Sequence, residues 1–268
     1  MDESTFSSEQ IIAQRQQLKH WFGGPLGRSL QDCEADRLRS ILPSLYATNV
    51  VQLGRTGDSN LFESCVAPRR ILLEFHQAWG DCSVLAQPEA LPFEHSSIDM
   101  VLLPHTLDFA TDPHRVLREV ERVLMPESHV VILGFNPYSF WGLKRKLTRR
   151  RNLKAPWSGQ FISLYRIKDW LKLLQFEITH GSMMYFRPPF QNPTALDRSR
   201  LLDKMGDRWW PMMGAVYVLV GRKRVEGMTP IRTRWKLRMV TNGNGITDPV
   251  TRGIAVREKT RRAGRVRC

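Results

Sequence analysis

The stretch LPFEHSSIDMVLLPHTLDFATDPHRVLREVERVLMPESHVVILGF, Leu91 to Phe135, decides the fold. Within it, Asp99–Leu103 is a near-continuous apolar run, as expected of a strand buried on both faces of a parallel sheet. Asp112 can cap a helix whose first position is Pro113, where a missing N–H costs nothing. Val116, Leu117, Val120, Val123 and Leu124 then share one side of that helix, and Pro126 ends it. His129–Phe135 is the next apolar strand. A strand, a crossover helix and a strand with short joints demand a parallel, right-handed pairing. Ligands of such sheets sit outside the carboxyl ends of the strands, where the strand order reverses.

Working outward, residues 8–21 have helical spacing that Gly23-Gly24-Pro25 stops, and 28–42 form a second helix with Leu30, Leu38, Ile41 and Leu42 on one side. Asn49–Leu53 is a short apolar strand entering a glycine turn at Gly54, and Arg70–Glu74 and Cys82–Leu85 are further strands. Tyr165–Leu174 reads as an amphipathic helix, with strands at Phe176–Phe186 and Ala215–Val220. The Pro- and Trp-rich excursion between those two strands includes Trp209-Trp210, expected to cover a sheet edge. The expected class is α/β, an open, mostly parallel sheet with helices on both faces. Residues 1–45 read as N-terminal helices packing on the core, 46–223 as the α/β domain, and 224–268 as a basic, largely unstructured tail. An alternation of apolar and basic residues from Ile231 to Val240 leaves an edge strand open there.

Charge is unevenly spread. The chain of 268 residues carries a formal +14, yet from Gly221 to Cys268 fourteen Lys/Arg stand against three Asp/Glu. Lys144–Lys154 holds seven more basic residues and no acid, so the basic character belongs to attachments. The tail is expected to give salt-sensitive, non-specific contact with nucleic acid through 222–268, with no base-reading motif. No apolar run reaches the roughly 18–20 residues a spanning helix needs, and no apolar leader follows Asp2 and Glu3. Cys33, Cys65, Cys82 and Cys268 lack metal-ligand spacing and read as thiols of a reducing cytoplasm, with no metal expected.

Chemistry is expected at the strand ends. In VVQLGRTGD, residues 50–58, a glycine loop lets backbone approach a nucleoside closely. Glu74, at the tip of the second strand, suits a pair of ribose hydroxyls. His105 and Asp108 follow the third long apolar strand, where His105 is a general base or a local hydrogen-bonding group. Asn136-Pro137-Tyr138 follows the next strand. Phe140, Trp141 and the basic run after them form either a lid that attracts an anionic acceptor or a solvated face.

The order of LPF, an acid opening an apolar strand, a DP-capped helix ending RVLMP and a further apolar strand resembles the class I S-adenosylmethionine-dependent methyltransferases of type 11. The resemblance runs from Thr48 to Phe135 and implies a Rossmann-like sheet with S-adenosylmethionine as cofactor. It assigns cofactor contact to Gln52, Gly54, Thr56, Gly57, Glu74, Gln87, Ala90, Leu91 and Pro104, and places His105 as the candidate catalytic residue beside the acceptor. Three features depart from the family's pattern. Gln52 and Gln87 stand where acids are usual, and Thr56 and Asp58 replace two of three alternating glycines. Each lost carboxylate is expected to weaken binding of a cationic cofactor by about ten-fold. A methyltransferase with an unidentified acceptor is therefore set beside an inactive descendant acting as an interaction module. A nicotinamide oxidoreductase is disfavoured, because no GxGxxG opens directly into a helix.

Overall fold

The structure, a computed structural model, describes residues 13–14, 16–57, 61–75, 82–148, 154–189, 199, 203, 205–206, 208 and 210–224. A helix over 16–22 (α1) leads into α2, Pro25–Ile41. Pro25 opens α2 as well as closing the helix before it, since its fixed φ suits a first helical turn. The strands are β1 Asn49–Leu53, β2 Arg69–Glu74, β3 Val84–Leu85, β4 Ile98–Pro104, β5 Leu124–Phe135, β6 Phe176–Met184 and β7 Val216–Lys223. The helices that follow are α3 Pro113–Val123, α4 Phe140–Leu147 and α5 Leu164–Leu173.

The seven strands form one open sheet in the order β3-β2-β1-β4-β5-β7-β6. β1 to β5 are parallel, and β7 slots antiparallel between β5 and β6. Alternation along β4 divides the core. Met100 and Leu102 pack with Leu18, Leu30 and Leu38 of α1 and α2. Val101 and Leu103 pack with Val116, Val120 and Ile167 of α3 and α5. Both faces of the central strands are thereby dry, which is why Asp99–Leu103 carries no polar alternation.

β5 begins earlier than its apolar run. Leu124 pairs with Ile98 straight out of α3, the register then shifts, and Met100 pairs with His129. The intervening turn places Glu127 at φ +62, so the regular ladder is the His129–Phe135 segment legible in sequence. Of the pair expected to cover a sheet edge, Trp210 is 54% exposed and Trp209 lies outside the described residues. Among the described residues no helix is long and apolar enough to cross a membrane. The segment 231–240 lies outside the described residues.

α3 starts as its sequence dictates. The Asp112 side chain accepts from the backbone N–H groups of His114 and Arg115 at 3.0 and 3.1 Å. Its inner turns clamp the LPF element. Glu119 accepts from Leu91 N at 3.1 Å, while Arg122 donates to Leu91 O at 2.9 Å and Phe93 O at 3.0 Å. Losing the Asp112 cap should cost about 1 kcal/mol, because two helix-end donors then turn to water. Urea unfolding of Asp112→Ala should show that loss and Asp112→Asn should restore most of it, whereas an Ala variant as stable as the parent would refute the capping role.

Candidate functional site

Strand order reverses between β1 and β4, and the carboxyl ends of β1, β2 and β4 open there into one crevice. The chain leaves β1 through Gly54 at φ +82 and passes Gly57 at φ +70, conformations that a Cβ would strain. Gln52, which replaces the expected acid, is wholly buried and braces this loop. Its Nε2 donates to Gly54 O at 3.0 Å and its Oε1 accepts from Leu61 N at 3.1 Å. A carboxylate could make only the second bond, so the amide is the group that this loop shape needs. Thr56 is buried, and its Oγ1 has no hydrogen-bond partner among the described residues.

α2 closes over the loop. Gln31 Nε2 donates to Thr56 O at 2.9 Å, and a Cβ at residue 57 would stand 2.5 Å from Gln31 Oε1. Glu74 ends β2 beside this loop, fully buried, with the Arg55 Nε 3.8 Å from its Oε1. Gly54, Thr56, Gly57 and Glu74 thus converge, with Gln52 beneath them. Pro104 ends β4, buried next to the same crevice. Leu91 is buried under α3, whereas Gln87 and Ala90 sit exposed in the turn after β3, joined by Ala90 N donating to Gln87 O at 3.1 Å.

His105 lies at the centre of a buried ionic cluster. Its Nε2 is 2.8 Å from Glu34 Oε1 on α2 and its Nδ1 is 3.0 Å from Asp108 Oδ2. All three side chains are shut away from water. Asp108 Oδ2 also accepts from Phe135 N at 3.0 Å, which ties the cluster to the end of β5. Burial by itself would lower the His105 pKa, but the Glu34 charge and the hydrogen bonds to both carboxylates outweigh it and push the pKa up to about 9. The ring is therefore an imidazolium at neutral pH, donating from both nitrogens, with no lone pair to offer a substrate. Its backbone is left-handed at φ +53, and its ring stacks on Phe135 at 4.0 Å. A non-glycine residue in that region costs about 1–3 kcal/mol and persists only where its surroundings impose it.

Glu34 was not among the candidates from sequence, although a signal existed. It falls midway between Leu30 and Leu38 on the buried stripe of α2, an acid on an apolar face. Asn136 serves the chain itself: its Nδ2 donates to Met212 O and Gly214 O, and its Oδ1 accepts from Tyr138 N. Phe135 continues outward into aromatic neighbours, Phe161 at 5.1 Å and Trp141 at 6.0 Å. Among the described residues no cluster of three His, Cys, Asp or Glu side chains is suited to a metal ion.

Comparison with known proteins bears on this crevice. A family model described as a methyltransferase domain matches residues 61–132. The uncharacterised protein YafS of Escherichia coli K12 is 32% identical over 210 residues, covering 78% of this chain and 82% of YafS. The demethylmenaquinone methyltransferase of Chlamydia pneumoniae is 35% identical over 63 residues, 23% of this chain and 27% of that enzyme. Among solved structures, a possible histamine N-methyltransferase of Thermotoga maritima superposes with a TM-score of 0.53 at 19% identity, covering 72% of this chain and 88% of its own. The N-methyltransferase NodS of Bradyrhizobium japonicum, bound to S-adenosylhomocysteine, superposes with a TM-score of 0.52 at 9% identity, covering 81% and 98%. The two structures share the fold.

Two outcomes follow from the geometry. Gln52→Glu deprives Gly54 O of its donor and buries a charge, and should lower stability at pH 7 by about 2 kcal/mol in urea unfolding. Gln52→Glu as stable as the parent would show that the amide is not the brace. The second outcome concerns pH. A histidine whose folded pKa is raised from 6.5 to about 9 contributes stability fully present below pH 6.5 and lost as pH rises through 9. The unfolding free energy should therefore fall by about 1 kcal/mol per pH unit across that window. Glu34→Gln should flatten this slope, and a parent protein with no slope there would refute the imidazolium.

Proposed function

Because the chain belongs to the class I S-adenosylmethionine-dependent methyltransferase family, we propose that it transfers a methyl group from S-adenosylmethionine to an acceptor. The observation that carries this reading is the left-handed Gly54–Gly57 loop brought beside the buried Glu74 carboxylate where the strand order reverses. The residues present fit the cofactor. The loop has an unused buried hydroxyl at Thr56, and Glu74 can accept from two ribose hydroxyls once Arg55 moves aside. Gly54, Thr56 and Gly57 would hold the cofactor from one side and Glu74 from the other, with Pro104 bounding the crevice and Gln87, Ala90 and Leu91 at its adenine end.

When bound, S-adenosylmethionine supplies an electrophilic methyl group carried on a sulfonium. The protein's share of such a reaction is alignment and exclusion of water more than proton transfer. Gln52 holds the loop in shape, and Gln31 of α2 closes it against solvent. His105, doubly hydrogen-bonded, is a positioning residue that fixes the turn after β4 and seats α2. A cytoplasmic setting accords with Cys33, Cys65 and Cys82 standing unbridged. The charge of residues 222–268 supports nucleic-acid contact by the tail, as a property separate from the crevice.

A second reading has one observation in its favour. The loop is shut by Gln31, Glu74 is engaged by Arg55, and glutamines replace two expected acids, as in a fold retained for binding rather than chemistry. Calorimetric titration separates the two. Full-length protein should bind S-adenosylmethionine and S-adenosylhomocysteine but not NADH, and Glu74→Ala and Glu74→Gln should each weaken S-adenosylhomocysteine by about ten-fold or more. A folded protein that binds neither sulfur ligand would overturn the methyltransferase reading in favour of the second, and unaltered affinity in both variants would remove Glu74 from the cofactor site.

A further inference from the structure

A cavity of about 740 Å³ opens between α1 and α4, within the size range of small-molecule sites. Trp21 and Trp157 wall it, Lys144, Lys154 and His20 reach it, and among the described residues no Asp or Glu lines it. Lys144 Nζ lies 4.1 Å above the Trp157 ring. Burial lowers the pKa of that ammonium, and among the described residues no carboxylate pairs with it. Trp157 is 8% exposed, and its Nε1 is buried without a hydrogen-bond acceptor among the described residues.

These features call for one kind of ligand. An ammonium without a counter-ion and an indole N–H without an acceptor are both satisfied by negatively charged oxygens, and such bonds are stronger than neutral ones. Two indole walls favour a flat apolar body, which stacks or packs edge-on against them. The aromatic wall also leads inward. Trp21 meets Trp141 edge-on at 5.6 Å, Trp141 stacks near Phe135 at 6.0 Å, and Phe135 stacks on His105 at 4.0 Å. The cavity is thereby joined by packing to the end of β4, on the side of the crevice away from Glu74.

We infer that this cavity binds planar aromatic anions, carboxylates being the simplest, and that it is where the acceptor of the proposed methyl transfer sits. The first half stands on the cavity alone, and the second rests on the methyltransferase reading. Lys144, seated over the Trp157 ring, supplies the charge, the Trp157 indole a donor, and Trp21, edge-on to Trp157 with centroids 6.4 Å apart, an adjoining apolar wall. Lys154 and His20 add positive or polar edge at the cavity rim. The basic run after Trp141 thus gains a specific use at Lys144, while Lys146 stays exposed.

Calorimetric titration of the full chain with 1-naphthoate and with its uncharged counterpart 1-naphthamide tests this, each run alone and with S-adenosylhomocysteine present. The acid should bind about ten-fold tighter than the amide, the margin of one charge-assisted contact. Lys144→Met should abolish that margin without altering S-adenosylhomocysteine affinity. Trp157→Phe keeps an aromatic wall but removes the N–H, and should weaken the acid several-fold. Equal affinity for acid and amide, no binding of the acid up to millimolar concentration, or an intact margin in Lys144→Met would each overturn the site. Preference for the acid without any S-adenosylhomocysteine binding would leave the anion site standing and overturn the methyltransferase reading. S-adenosylhomocysteine binding without that preference would do the reverse.

Discussion

One buried interaction organises the ligand-facing edge of this molecule: the imidazolium of His105 held between Glu34 and Asp108. Burying charge in a dry interior is costly unless each group is paired and hydrogen-bonded, and here one cation serves two carboxylates. Asp108 spends a further bond on Phe135 N, so the cluster joins α2, the turn after β4 and the end of β5. The left-handed backbone at His105 is sustained by these partners, by stacking on Phe135 and by His105 N donating to Leu133 O. Removing His105 would leave two unpaired buried carboxylates, a loss of about 3–5 kcal/mol, whereas an all-apolar replacement of the cluster could be neutral. The cluster is thus a specifier of geometry more than a reservoir of stability.

The same helix that supplies Glu34 also supplies Gln31, one helical turn earlier on a neighbouring face. Docking α2 through the ion cluster therefore also presses Gln31 onto the Gly57 loop. Cover and floor of the crevice are set together, and Gln52 completes the arrangement from below by bridging Gly54 O and Leu61 N. A crevice so enclosed is dry, which strengthens every polar contact made within it. It also means that the cofactor of the proposed reaction would enter only as α2 or the Arg55 side chain yields.

Much of the fold was legible because burial on both faces writes itself as uninterrupted apolar runs, as in Asp99–Leu103 and His129–Phe135. The helix between them announced both its start, through Asp112 and Pro113, and its apolar stripe. Strand ends were less legible. Leu124 belongs to a short pairing with Ile98 that only the register shift reveals. The site was legible where it depends on local conformation, at Gly54 and Gly57, and where a carboxylate ends a strand, at Glu74. It was opaque where distant segments meet. Gln52 read as a lost acid because its two backbone partners lie across a turn, and Glu34 was not singled out because its partner His105 lies on a distant segment. The cavity is assembled from residues near 20, 144 and 157, which no local pattern joins.

The ionic cluster also has a consequence for substitution. Positions 34, 105 and 108 lie on two separate segments, yet losing His105 alone would strand two carboxylates in the interior. Replacing His105 therefore calls for replacing Glu34 and Asp108 as well, which couples the three positions through charge. Gln52 is held by a different lock, its two backbone partners, whereas Gln87 lies exposed and carries no such constraint. Constraint is distributed unevenly in this protein, tight at its buried polar groups and loose at the exposed turn after β3.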